Sequence, residues 1–326
     1  MFRQIHKNPD IYTIPVVLPN NPLKNLNCYI IKTPEENLVI DTGFNQPECL
    51  EALSEGLKEL KIDMDRTTLF LTHLHSDHIG LTNHIATEKT RILISSVDYD
   101  YLKNQHNADF WTWMEEKFYR EGLSRELIEL ARYVNPARAY APEYLFDAET
   151  VSDNDTFHIG DYAFRCLWTP GHTPGHTCLY MEKEKILFCG DHILFDITPN
   201  VTMWRNVEDS LGNYLESLKK IKALDIGLAL PAHRKNDMDV YERIRQIEEH
   251  HDRRINQTLS IIREEPGLNA CQIGARMTWS MRGKNWEEFP IQQKWFAIGE
   301  TISHLDYLLK RGLITRHEEK EIIYYS

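Results

Sequence analysis

The 326-residue sequence has no C-x-x-C pair, no apolar run near the ~18 residues a membrane span requires, and no surplus of basic charge. Each absence removes a class of protein. The six cysteines (28, 49, 166, 178, 189 and 271) are scattered, which predicts reduced, mostly buried thiols and neither a disulfide framework nor a cysteine-based zinc site. Cys189 alone draws notice, because it lies beside a candidate ligand. The opening stretch MFRQIHKNPDIYTIPV lacks a charged-then-apolar signal with a small-residue cleavage site, so export is not expected and the cytoplasm is the expected location. A net charge of −12 argues against a polyanion as the main partner, since nucleic-acid binders carry a basic face. Also missing are a G-x-S-x-G nucleophile elbow, an H-E-x-x-H helix, a Walker A loop and a G-x-G-x-x-G fingerprint.

What is present reads as a layered α/β chain. Residues 27–44 form a predicted hairpin whose second strand ends in D-T-G, and 47–60 have leucines at helical spacing. TTLFLT (67–72) and RILISS (91–96) are short buried strands, with a helix expected around 81–89. From about 98 to 145 the texture changes to an inserted helical pair in which Phe110, Trp111, Met114 and Phe118 share a face. Packing onto the core is the simpler reading of those aromatics, and a pocket wall is the sharper one. Hairpins are expected at 155–168 and 177–191, an amphipathic helix at 207–224, and a strand at 225–233. These elements make a first domain of residues 1–235. Residues 236–326 read as helix, helix, helix, hairpin, the order of a winged helix-turn-helix module, with a loop holding SMRGKNW. Two histidines within the first of these helices, His250 and His251, read as solvated, as do His84 and His106.

The chemistry gathers at LFLTHLHSDHIGLTNH (69–84). His73, His75, Asp77 and His78 follow a strand at once, and a loop leaving a strand end can bring its side chains onto one spot. Imidazole and carboxylate donors suit zinc or another divalent transition ion better than calcium or magnesium. Three further candidates also lie just past predicted strands: His172 in WTPGHTPGH, Asp191 in LFCGDH and His233 in LALPAH. Seven ligands are too many for one tetrahedral zinc, so two metals are the economical reading.

These motifs, H-x-H-x-D-H at 73–78 followed by His172, Asp191 and His233, resemble those of the metallo-β-lactamase superfamily over about residues 1–235. The resemblance implies a four-layer αββα sandwich with a dinuclear site between two sheets. It implies that His73, His75 and His172 hold one ion, that Asp77, His78 and His233 hold the other, and that Asp191 bridges them. In PGHTPGH it favours His172 as ligand and leaves His176 a supporting role. GDHIL and the C-terminal element order resemble, more narrowly, the β-lactamase-like protein 2 group, whose members are described as hydrolases and some as endoribonucleases.

A site of this kind implies two divalent ions, zinc being the first choice with iron or manganese also suited, and a metal-bound hydroxide attacking a carbonyl ester, thioester or lactone. Asp77 would bind the second ion and also orient the nucleophile or handle protons; His192 reads either as a substrate contact or as structural. The alternative is a metal-dependent endoribonuclease or phosphodiesterase in which the winged helix presents nucleic acid. Charge disfavours it, because residues 236–326 carry 13 Lys and Arg against 15 Asp and Glu. A small-molecule ester or thioester is therefore the expected partner, with no membrane association and with a homodimer open. The tail then reads as a packing, pocket-covering or dimerisation module.

Overall fold

The computed structural model describes residues 2–105, 108–279 and 285–326. His106 and most of the SMRGKNW loop lie outside the described residues. One sheet runs β1 (Arg3–Lys7), β2 (Asp10–Val17), β3 (Asn25–Lys32), β4 (Asn37–Ile40), β5 (Thr67–Leu71), β6 (Arg91–Ser95) and β7 (Glu149–Val151), in that spatial order. Its first four strands are antiparallel neighbours, and β4 to β7 are parallel. The second sheet has β8 (Thr156–Ile159), β9 (Tyr162–Trp168), β10 (Thr177–Met181), β11 (Ile186–Gly190) and β12 (Leu228–Pro231), antiparallel except for β11 beside β12. A hairpin of β13 (Arg316–Glu319) and β14 (Ile322–Tyr325) closes the chain.

The helices are α1 (Pro47–Glu59), α2 (Ser76–Ile79), α3 (Thr82–Ile85), α4 (Ser96–Gln105), α5 (Ala108–Arg120), α6 (Arg125–Val134) and α7 (Pro136–Ala139), then α8 (Ser210–Lys222), α9 (Val240–Glu264), α10 (Ala270–Arg276) and α11 (Ile291–Lys310). The helix expected at 81–89 is the single turn α3, because the chain is already extended at Ala86.

Strand alternation explains the layering. In β5, Phe70 points into the core between the sheets, with Ile31, Leu179 and Phe188, whereas Leu69 and Leu71 face the outer layer with α1's Leu53 and Leu57. Both faces of β5 and β6 are covered, which is why these strands read as unbroken apolar runs rather than alternating ones. Across the molecule, Leu187 and Cys189 of β11 face outward against Leu211, Tyr214 and Leu218 of α8. The result is helices, sheet, sheet, helices: a mixed α/β metallo-β-lactamase fold, as the motifs implied.

The C-terminal elements appear in the expected order of three helices and a hairpin. They share cores with what precedes them. Val240, Ile244 and Ile247 of α9 pack with α8 against the second sheet. Ile298, Ile302 and Leu305 of α11 join Phe118 and Ile128 of the insertion and Met203 in one cluster. His251 is therefore buried, not solvated as its charged surroundings suggested. It lies on the covered face of α9 with Ile244, Ile247 and Thr258, and its ring stands 5.6 Å from that of His304 on α11. His84 is exposed, as expected.

Because these clusters are shared, the full chain is expected to unfold in one cooperative transition. Ile244→Ala should lower its stability by about 2–4 kcal/mol without splitting that transition. Chemical denaturation followed by both fluorescence and circular dichroism checks this, and two separated midpoints would contradict it.

Candidate metal centre

Strand direction brings the chemistry together. β4, β5 and β6 are parallel, so the residues that follow them, Asp41, Thr72–His78 and Asp98, emerge on one edge of the first sheet. In the second sheet β9 and β11 both oppose β10, and β12 is parallel to β11. These three strands end on one edge too, delivering His172, Asp191 and His233. The two edges are tied together where Thr177 N donates to Thr72 O at 2.9 Å and Asn27 N donates to Ala232 O at 2.7 Å. Ligand sites at carboxyl strand ends are the general outcome of such geometry.

All seven residues expected from sequence meet here. Three groups of donor atoms each lie within 4.8 Å of one another: His73, His75 and His172; His73, His78 and Asp191; and Asp77, His78 and His233. His73 Nε2 stands 3.0 Å from His75 Nδ1. Asp191 faces both ways, with Oδ2 3.5 Å from His172 Nε2 and Oδ1 3.3 Å from His233 Nε2 and 3.5 Å from His78 Nε2. Asp77 Oδ2 is 3.3 Å from His233 Nε2. Donors around a tetrahedral zinc at ~2.0–2.2 Å stand roughly 3.3–3.6 Å apart, so these spacings fit an ion. The second test is polar satisfaction. His78 Nε2, His172 Nε2, His233 Nε2 and Asp191 Oδ1 are buried without a hydrogen-bond partner, and all four aim at the same space.

The other ring nitrogens are occupied, which fixes each imidazole. His78 Nδ1 donates to Asp41 Oδ2 at 2.8 Å, His172 Nδ1 to Asn200 O at 2.6 Å and His233 Nδ1 to Asn25 O at 2.9 Å. His73 Nδ1 meets Thr72 Oγ1 at 3.1 Å, and that hydroxyl donates to Asp41 Oδ2 at 2.8 Å. Trp204 supports the first group from outside, stacked on His75 at 6.0 Å and donating its indole N–H to His172 O at 3.2 Å.

Several of these supports were not foreseen. Asp41 is the aspartate of D-T-G, held at φ 62° just past β4. Its signal was a short polar turn ending a strand, which carries no role by itself. Asp98 gave no signal at all. It is fully buried and accepts from Leu74 N at 2.9 Å, Thr173 Oγ1 at 2.7 Å and Gly175 N at 2.6 Å. One carboxylate thereby braces the 73–78 loop against the 172–176 loop. Burial pushes its carboxyl up to about 7, against the pull of those three donors.

His176 holds Asp191 in place by accepting from its backbone N at 3.0 Å, across Gly190 at φ 51°, where a Cβ would come within 2.5 Å of the ring. This matches the supporting role expected for it. His192 is buried behind the site, outside the cavity that reaches the cluster, and reads as structural. Cys189 is buried, and its thiol is pushed well up by desolvation, so it is inert.

Electrostatics divide the cluster. Burial drives His75 down to about 3, and burial first and His78 second lower His73, so both stay neutral. In the other half burial again opposes charge, yet the carboxylates prevail. Asp191, then Asp77, push His233 up to about 10, and His78 with His233 hold Asp77 at about 2. Asp41 and then Asp191 raise His78 in the same way. The metal-free cluster therefore keeps protons on His78 and His233 to balance its buried carboxylates.

The pH behaviour follows. His233, raised from 6.5 to about 10, stabilises the metal-free fold fully below about 6.5, and that contribution is lost as pH rises through about 10. Asp77, lowered from 3.8, contributes above that value and is lost as pH falls through about 2. Thermal unfolding of metal-free protein should weaken steadily from pH 7 to 10 and that of metal-loaded protein far less; parallel curves would contradict the charge balance. Asp98→Ala leaves three buried donors unpaired. It should cost about 3 kcal/mol in a denaturant titration and weaken metal binding as the two loops part.

A family model described as the Metallo-beta-lactamase superfamily matches residues 22–233. The lactamase-like protein adaB of Aspergillus niger is 23% identical, the match covering 88% of this chain and 86% of that protein. An atrochrysone carboxyl ACP thioesterase of Emericella nidulans is 28% identical over 67% of this chain, which spans only 54% of that relative's length. The β-lactamase-like protein 2 homolog of Caenorhabditis elegans is 25% identical over 82% of this chain and 78% of its own, so the narrower resemblance is a distant one. Among solved structures, a metallo-beta-lactamase family protein from Thermus thermophilus superposes with a TM-score of 0.79 at 25% identity, covering 97% of each chain. With the sandwich, its His and Asp clusters at the strand ends and a family model spanning most of the chain, this protein belongs to the metallo-beta-lactamase superfamily, whose members typically bind two metal ions, and it is a metal-dependent hydrolase.

Proposed function

We propose that the protein is a dinuclear hydrolase, zinc being the ion its donors suit best, that cleaves a carbonyl ester, thioester or lactone. His73, His75 and His172 would hold one ion, Asp77, His78 and His233 would hold the other, and Asp191 would lie between them. The observation that carries this reading is the set of four buried, unpaired donor atoms at ligand spacing around one space. When bound there, divalent ions would supply a water of lowered pKa and polarisation of a carbonyl oxygen.

The protein's own groups do the rest. Asn200 O, Asn25 O and Asp41 keep three ligand rings turned inward. Asp77, ionised throughout the neutral range, is a carboxylate at the cluster able to orient water or take its proton on an oxygen. Leu74, Phe44 and Trp204 wall the approach and limit bulk water. The thioesterase named among the relatives acts on a carbonyl substrate, which lends the ester and thioester reading its support.

The nuclease alternative has less behind it. In a winged helix α11 would be the reading helix, yet Ala297, Ile298, Ile302, Leu305 and Leu308 are buried along it. We read the C-terminal part as winged-helix-like in element order and as a wall of the substrate cavity in role.

Asp191→Ala tests the assignment. The variant should lose bound metal and lower hydrolysis of a generic thioester at least ~1,000-fold, the scale of loss expected when a group that generates the nucleophile is removed, read by elemental analysis and thiol release. A chelator should abolish the wild-type rate. A variant keeping two ions and full rate would sink the proposal. Cleavage of single-stranded RNA by metal-loaded protein that leaves esters and thioesters untouched would favour the alternative.

A further inference from the structure

A cavity of about 370 Å³ leads away from the cluster, with His75, Asp77, His172 and Asp191 at its inner end. Its aromatic walls come mainly from three separate parts of the chain. Phe110, Trp111 and Met114 stand on α5, Trp204 on the loop after β11, and Trp295 and Phe296 on α11. The two helices are held together where Phe118 stacks on Trp295 with ring centroids 3.7 Å apart. The remaining polar lining is mostly neutral, from residues such as Ser76, Thr202 and Gln293.

Charge is the informative absence. None of the described residues lining the cavity is a lysine or arginine. Beyond Asp77 and Asp191 the only charged residue among them is Glu300, an anion, and it is already engaged by Arg254 at 3.2 Å. A second guanidinium nearby, Arg138, lies over Trp111 at 4.2 Å and is bound to Glu115 at 2.8 Å. A carboxylate or phosphate seated between these walls would lose its water and find no lysine or arginine among the described lining residues. An apolar group would exchange water for aromatic and methionine surface, and methionine adapts to varied shapes.

We infer that the acyl part of the substrate is an uncharged, apolar group larger than acetyl, aromatic or medium-chain aliphatic, seated between α5 and α11 with its carbonyl carbon at the cluster. The inference rests on the hydrolase reading above and narrows its substrate class. The reaction balances as hydrolysis: water oxygen forms the new C–O bond to the acyl carbon and the C–S bond breaks. One water proton ends on the leaving thiolate, and the other is released as the acid ionises. The cavity volume lies toward the lower end of the ~300–1,000 Å³ of small-molecule sites, which suits one such group and not a polymer.

The test uses metal-loaded full-length protein and N-acetylcysteamine thioesters, whose leaving thiol is neutral and constant. Octanoyl and 2-naphthoyl thioesters should exceed the succinyl thioester in kcat/KM at least ~100-fold, as a desolvated and unpaired carboxylate would cost. Phe296→Lys places a cation on the wall at a part-exposed position and should cut that ratio at least about tenfold. Gln293→Lys repeats the test on the same helix, and thermal unfolding confirms that each variant is folded. Equal rates for octanoyl and succinyl, or an unchanged ratio in both folded variants, would overturn the inference. If no thioester is turned over, the thioester branch of the proposed function fails by itself. The cavity is then judged by tryptophan quenching with the octanoyl and succinyl thioethers: preference for octanoyl keeps the apolar site, and equal or absent binding removes it.

Discussion

The structure depends on a concentration of buried negative charge. Asp41, Asp77 and Asp191 sit together at the meeting edges of two sheets, each at most 8% exposed. Carboxylates in that setting persist only with cations against them. Without metal the cations are protons on His78 and His233; in the proposed holoenzyme they would be metal ions at the same nitrogens. The surrounding architecture serves that balance. Parallel strand ends deliver the donors, backbone carbonyls turn the rings, and Asp98 locks one loop against the other from behind. A further buried carboxyl thus holds in place the loops that carry Asp77 and His172.

The substrate side is assembled differently. The candidate ligands come from strand ends that the two sheets hold in place. Most of the aromatic cavity wall comes from a helical insertion near residue 110, a loop near 204 and a helix near 295, joined by apolar packing. This division lets one scaffold keep its chemistry while its specificity varies with the attached helices. It also gives the C-terminal part a place in the enzyme. Ser303 Oγ donates to Val201 O at 2.6 Å, and Asn200 Nδ2 donates to Glu300 at 3.3 Å, while Asn200 O accepts from the candidate ligand His172. A displacement of α11 would thus be felt at the metal cluster through a single residue.

Much of this was legible beforehand, and the failures are instructive. Most strands of the two sheets were readable because buried strands are written as short apolar runs, but β1, β2 and β7 were not expected; the candidate ligands were readable because histidine and aspartate in that order have few other uses. The simpler reading of the α5 aromatics is core packing. Phe110 and Phe118 are indeed buried, yet they also line the cavity, because burial in the chain and exposure to a pocket are compatible at one residue. His251 reads as solvated from sequence because charged neighbours hide the apolar face of α9, whose partner α11 lies about 50 residues further along the chain.

The sequence by itself determined the donor set, since imidazole and carboxylate are the chemistry of the site and each donor follows a strand that local composition specifies. It also determined the alternation that stacks two sheets between helices. Only the tertiary structure decided which lone pairs face one another, because that follows from strand direction and from Asp41, Asn25 and Asn200 acting across long stretches of chain. It alone decided that an insertion and a C-terminal helix about 180 residues apart close on one apolar space, because such contacts are made between surfaces and leave no spacing to read.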